Sequence, residues 1–147
     1  MSSHIFHEVY LHLNWHVKDD QPLLTASLEP AVYDFLGDRC RKTGGVFLHG
    51  IGGTPTHIHM AINIEPHVCI SDLVGDLKGS CSHEIDKQFR MKRLQWQRGF
   101  GVVSFGKKQL PWVLKYIANQ KEHHANGKTE RRLEQVSMDD DGTPLNG

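Results

Sequence analysis

The 147-residue sequence has no apolar run near the roughly 20 residues that a membrane-spanning helix requires, so no spanning segment is expected. It has no CxxC pair. Cys40, Cys69 and Cys81 are odd in number and far apart, which argues against a disulfide framework and against a cysteine zinc site. They read as small thiols in a reducing compartment. The opening stretch MSSHIFHEVY lacks the basic-then-apolar layout of a secretory leader, and the expectation is a cytoplasmic protein. Net charge is also missing: 17 basic residues balance 17 acidic ones, which taken alone argues against a nucleic-acid partner. Gly50, Gly52 and Gly53 form no phosphate cradle, because they lead into a strand rather than a helix.

The distribution of charge changes that picture. Between Lys87 and Lys121 there are nine basic residues and no acidic one. The first 86 residues hold five basic and eleven acidic residues, and the chain from Glu122 onward holds three and six. A local field of this size attracts phosphates whatever the total charge. Trp96, Phe100 and Phe105 are interleaved with the basic run. Phe100 and Phe105 read first as core residues of a strand, which leaves Trp96 as the better candidate to stack on bases.

Hydrophobic periodicity gives the elements. HEVYLHLNWHV (7–17) and THIHMAINI (56–64) alternate as strands with one apolar face. LEPAVYDFLGDRCRK (28–42) has helical spacing and stops at Gly44-Gly45, and VFLHGIGG is a short strand. A second helix opens near Ser71-Asp72 and carries Leu73, Val74, Leu77 and Ile85, with a break or bend expected at Gly79. FGVVSFG is a fourth strand, and residues 109–124 form a third helix with Pro111 in its first turn. The acidic end MDDDGTPLNG is expected to be disordered. The order β-α-β-β-α-β plus a helix predicts an α+β, ferredoxin-like sandwich with helices on one face and an additional C-terminal helix. Strands one and three would be central neighbours.

His57 and His59, at i and i+2 on a strand, project in parallel and form a chelating pair when neutral. An H-x-H pair is more often incidental than metal-bound, so a third donor is required. Tyr116 and Gln120, four apart on the last helix, share a face and offer a phenol and an amide oxygen. His12 and His16 lie on the presumed site face, and His123-His124 is a candidate phosphate contact.

THIHMAINI, ISDLVGDLKGSCSHEI, LQWQRGFGVVSFG and WVLKYIANQKEHH, in this order, resemble the single-tyrosine HUH transposases of insertion-sequence 200/605-type elements, including the relatives associated with repetitive extragenic palindromes. The similarity covers about residues 7–125, with WQRGFGVVSFG followed by YIANQKEHH its most specific part. Two stretches depart from the family pattern: Thr54-Pro55-Thr56 before the histidine pair, and ANGKTERRLEQ after His124. The resemblance implies a catalytic domain over 1–125 and a partly disordered tail over 126–147. It implies that His57, His59 and Gln120 bind a divalent ion, Mg²⁺ or Mn²⁺, and that Tyr116 attacks DNA to leave a 5′-phosphotyrosine. Single-stranded DNA beside a hairpin is the implied partner, with Arg90, Lys92, Arg93, Trp96, Arg98, Lys107 and Lys108 as DNA contacts. A homodimer, with cis and trans active sites both left open, and a cytoplasmic, nucleoid-associated location follow from the same resemblance. The runner-up is a non-catalytic hairpin-binding or regulatory module on the same fold. A double-stranded β-helix oxygenase also uses H-x-H, but it needs many more strands.

Overall fold

The structure is a computed structural model and describes residues 4–90, 94–125, 127 and 129–136. Four strands, β1 (Val9–His16), β2 (Val46–Thr54), β3 (His57–Ile64) and β4 (Gly101–Phe105), form one sheet in the order β2-β3-β1-β4. Every neighbouring pair is antiparallel. Helices α1 (Glu29–Arg41) and α2 (Ile70–Gln88) are the crossovers, and α3 (Leu110–Ala118), α4 (Gln120–Ala125) and α5 (Arg131–Glu134) follow β4. This is the β-α-β-β-α-β arrangement expected from the sequence, with β1 and β3 at its centre.

Alternation along the central strands separates two faces. In register, Leu11 lies opposite Ile62, Leu13 opposite Met60 and Trp15 opposite Ile58. All six are buried with Val32, Leu36 and Cys40 of α1 and Leu73, Val74, Leu77, Cys81 and Ile85 of α2. These helical positions recur every three or four residues, so one stripe of each helix meets the sheet. In α1 a proline sits in the first turn beside Glu29, and Arg39 and Arg41 lie in the last, both favourable to the helix dipole. Gly79 does not break α2. It lies on the exposed face with nothing within 4 Å of a Cβ built there, and the helix runs unbroken for 19 residues.

Two features differ from the sequence reading. Helices cover both faces of the sheet, not one. α3 lays Val113 and Ile117 over Ala61 of β3, with Leu110, Leu114 and Phe105 around them. Glycine makes this approach possible. A Cβ at Gly52 would lie 2.5 Å from the Ile117 carbonyl oxygen, and one at Gly50 would lie 2.6 Å from Leu114 Cδ2. The last helix is also not continuous over 109–124: it stops at Asn119 (φ −104°, ψ 24°), and α4 begins at Gln120.

Gly52→Ala therefore pushes a methyl group into backbone and should destabilise the fold by about 1–3 kcal/mol. Gly79→Ala in an exposed helix interior should stabilise it by about 0.5–1 kcal/mol. Urea denaturation of the two variants tests this opposite pair of signs, and equal shifts would contradict the docking of α3 on β2.

Candidate active site

The polar face of the central strands is as buried as the apolar one. His12, Asn14, His57 and His59 are all under 5% exposed. Such groups need partners, and the Nδ1 atoms of His57 and His59 have them. His59 Nδ1 lies 2.8 Å from His12 Nε2, and His57 Nδ1 lies 2.8 Å from Thr56 Oγ1 and 3.0 Å from Thr54 Oγ1. The Thr54-Pro55-Thr56 turn, which departs from the family pattern, thus supplies both hydroxyls that fix the His57 ring. His16 stacks on His57 with ring centroids 4.6 Å apart, and Asp20 holds its Nδ1 at 2.7 Å. With their Nδ1 atoms engaged, His57 and His59 turn both Nε2 atoms to one point.

The elements after β4 bring the other half of the site to that point. His124 Nε2 is 3.1 Å from His57 Nε2 and 3.1 Å from Gln120 Oε1. Glu134 Oε1 lies 3.3 Å from the Nε2 atoms of His57, His59 and His124. Its other oxygen, Oε2, accepts a short hydrogen bond from the Tyr116 hydroxyl, which also accepts the Glu130 backbone N–H at 2.8 Å. Gln120 is buried, and its amide nitrogen donates to the Tyr116 carbonyl. Glu134 is carried by a segment seated on the sheet. Asn14 Nδ2 donates to the Gln135 carbonyl at 3.1 Å, Gly101 leaves room for that carbonyl, and Leu133 and Val136 are buried.

The donor atoms of His57, His59, His124 and Glu134 all lie within 4.8 Å of one another. His59 Nε2 is fully buried without a well-directed hydrogen bond, although a carboxylate oxygen lies 3.3 Å away. A buried nitrogen left in that state beside two further imidazoles and a carboxylate suits a divalent cation.

The structure brings together the four residues singled out for chemistry: His57, His59, Tyr116 and Gln120. It adds His124 and Glu134. His124 continues the four-residue spacing of Tyr116 and Gln120, a signal present in the sequence. Glu134 lies in the stretch expected as tail, and its only sequence signal is the apolar pair Leu133 and Val136 around it. That stretch is not wholly separate from the domain, since its residues 131–136 pack on β1 and β4 and complete the site. The acidic end MDDDGTPLNG, together with Lys92 and Arg93, lies outside the described residues.

Arg90, Arg98, Lys107 and Lys108 are exposed. Trp96 is not presented as a free stacking surface. It is half-buried, its indole N–H donates to the Lys78 carbonyl at 2.9 Å, and its ring meets Trp15 edge-on. Phe100 and Phe105 pack against the two cores, as core residues of a strand should.

Burial, followed by the neighbouring His59, lowers the His12 pKa to about 3. Burial likewise lowers His59 to about 4, against the raising influence of Glu134. Burial pushes the Tyr116 hydroxyl above its usual range, and its hydrogen bond to Glu134 adds to this. Burial works against ionisation of Glu134, but the adjacent His57 and His59 imidazoles hold its carboxyl well below the ordinary range.

Solved transposase structures share this antiparallel four-stranded fold. A structure from Deinococcus radiodurans R1, described as a candidate transposase, superposes with a TM-score of 0.66 at 21% identity, over 82% of this chain and 96% of that one. The REP-associated tyrosine transposase bound to a REP hairpin superposes with a TM-score of 0.60 at 13% identity, over 88% of this chain and 76% of that one. The profile of the family described as "Transposase IS200 like" matches residues 5–120, and the chain belongs to this family. The transposase for insertion sequence element IS200 of Salmonella typhimurium LT2 is 32% identical over 97 residues, 62% of this chain, as is that of Salmonella typhi. The matched region spans 59% of the length of these relatives. Among the described residues, no helix is long and apolar enough to cross a membrane.

One acid-stability consequence follows. The His12–His59 hydrogen bond needs one imidazole to accept, so protonating both rings would set N–H against N–H. The folded pKa values, about 3 and about 4, lie below the unfolded value of 6.5. The unfolded chain then binds more protons between these limits, and stability is intact above pH 6.5 and is lost as pH falls toward 4. The urea midpoint of chelator-treated protein should drop across this window. A flat profile there would contradict a neutral buried pair.

Proposed function

We propose that the chain nicks and rejoins single-stranded DNA through a covalent 5′-phosphotyrosine on Tyr116. The observation that carries this reading is the Glu134 carboxylate, which joins the phenol to the imidazole cluster: one oxygen accepts the Tyr116 proton and the other lies against three Nε2 atoms. A nucleophile and a cation site are thereby held next to each other.

His57, His59, His124 and Glu134, with Gln120 beside them, would hold the cation, Mg²⁺ or Mn²⁺. Nitrogen donors favour Mn²⁺ in affinity. Such an ion supplies positive charge that polarises a phosphate oxygen. The residues do the rest. The Tyr116 oxygen forms a bond to phosphorus, the bond from phosphorus to O3′ breaks, and the departing oxygen takes up a proton to become a 3′-OH. Glu134 Oε2, already the acceptor of the phenolic hydrogen bond, takes the proton from Tyr116. The sequence offered no such base. The Glu130 N–H donates to the Tyr116 phenolic oxygen and steadies it as charge develops. The phosphotyrosine retains the energy of the phosphodiester, so a 3′-OH reverses the step and rejoining needs no nucleotide cofactor.

The basic run from Lys87 to Lys121 supplies phosphate affinity for the strand. Likeness to a relative bound to a REP hairpin supports a hairpin beside the cut. The phenol and all the donors belong to one chain, which supports cutting in cis. A homodimer would then bring two finished centres together.

Incubation with hairpin-flanked single-stranded DNA and Mn²⁺, followed by mass spectrometry, should show a nucleotide adduct on Tyr116. Tyr116→Phe should abolish the adduct while DNA binding persists. Binding by the wild type without an adduct under any divalent ion would favour the non-catalytic hairpin module. Glu134→Gln, which keeps the shape and removes the base, should slow adduct formation by about a hundredfold or more. His57→Ala should also remove most Mn²⁺ binding measured by calorimetry without DNA, and retained affinity would refute the assignment of the cation site.

A further inference from the structure

We propose that Trp112 is the platform on which a base flanking the scissile phosphate stacks, an inference that rests on the nuclease reading above. Trp112 lies on α3 one turn before Tyr116. The two rings stack with centroids 5.6 Å apart and an interplanar angle of 17°. Tyr116 is buried, but Trp112 remains 51% exposed. The other two tryptophans are committed to the interior: Trp15 is fully buried, and Trp96 is half-buried with its N–H bonded.

An exposed indole alone would mean little. Its position gives it meaning. Trp112 borders a hollow of about 210 Å³ whose other walls are Lys115, Tyr116 and Asn119. It also borders a second hollow of about 380 Å³ that includes Ser104, Gln109 and Arg132. The ring therefore stands between two concavities beside the nucleophile, the first with Lys115 on its wall and the second with Arg132 and Glu130. A strand whose phosphate reaches Tyr116 must place its adjoining nucleotides within reach of these hollows. Lys115 and Arg132 suit the backbone, the Asn119 amide suits a base edge, and the flat indole suits any base, because every base has a π-face. The exposed aromatics Phe6, Phe47 and Phe89 do not line either hollow.

Trp112 is also the most exposed of the three tryptophans, so its fluorescence reports on this contact directly. Oligo(dT) should quench the wild-type emission. Trp112→Phe should remove that quenching, and Trp112→Ala should weaken oligo(dT) binding about tenfold. An abasic strand of the same length should bind wild type and Trp112→Ala equally and quench neither. Equal quenching by both strands, or quenching retained in Trp112→Phe, overturns the proposal. So does a change of oligomeric state in Trp112→Ala with unaltered dependence on the base, which would make Trp112 a subunit contact. If adducts still form on Tyr116 in such a case, the nuclease reading stands while the stacking platform falls. Failure of wild type to bind either strand overturns both.

Discussion

A central sheet that buries a polar face must hold the rings on that face in fixed orientations, and the arrangement of this molecule depends on how it does so. β1 and β3 set His12, Asn14 and His16 opposite Ala61, His59 and His57 in strict register. Exposed to water, these rings would rotate freely. Under α3, α4 and α5 they cannot, and the Nδ1 contacts to His12, Thr54 and Thr56 leave only the Nε2 edges of His57 and His59 for chemistry. The ring orientation is set before any ligand arrives, which is how outer-shell partners prepare imidazoles to bind metal.

Glycine determines whether that cover fits. Gly52 admits the Ile117 carbonyl of α3 on β2, Gly50 admits the Leu114 side chain, and Gly101 admits the Gln135 carbonyl on β4. The sequence shows these residues as a Gly-rich stretch with no phosphate-binding role. Their effect becomes visible only with the helix that passes over them. On the apolar face, side chains of the sheet and of α1 and α2 fill the space between them.

Much of this was legible in the residues themselves. Strict alternation fixed which side chains of 7–17 and 56–64 face the same way, and a four-residue interval on the last helix paired Tyr116 with Gln120. The family resemblance gave those positions their expected roles. What alternation cannot show is where a segment returns after a break. The stop at Asn119 and the return of residues 131–136 across the sheet are tertiary events, and they add Glu134 from a stretch whose local composition is that of a tail. Trp96 shows the same limit. Its place in a basic run suggested exposure, but the Lys78 carbonyl and Trp15 engage it. Conversely, Trp112, exposed beside Tyr116, drew no role from its place in the sequence.

The phenol, the imidazoles, the amide and the carboxylate all come from a single polypeptide. In the cis arrangement proposed above, assembly of such a centre is a unimolecular event that folding of one chain completes. In that arrangement, dilution would leave each centre as complete as it is in concentrated solution.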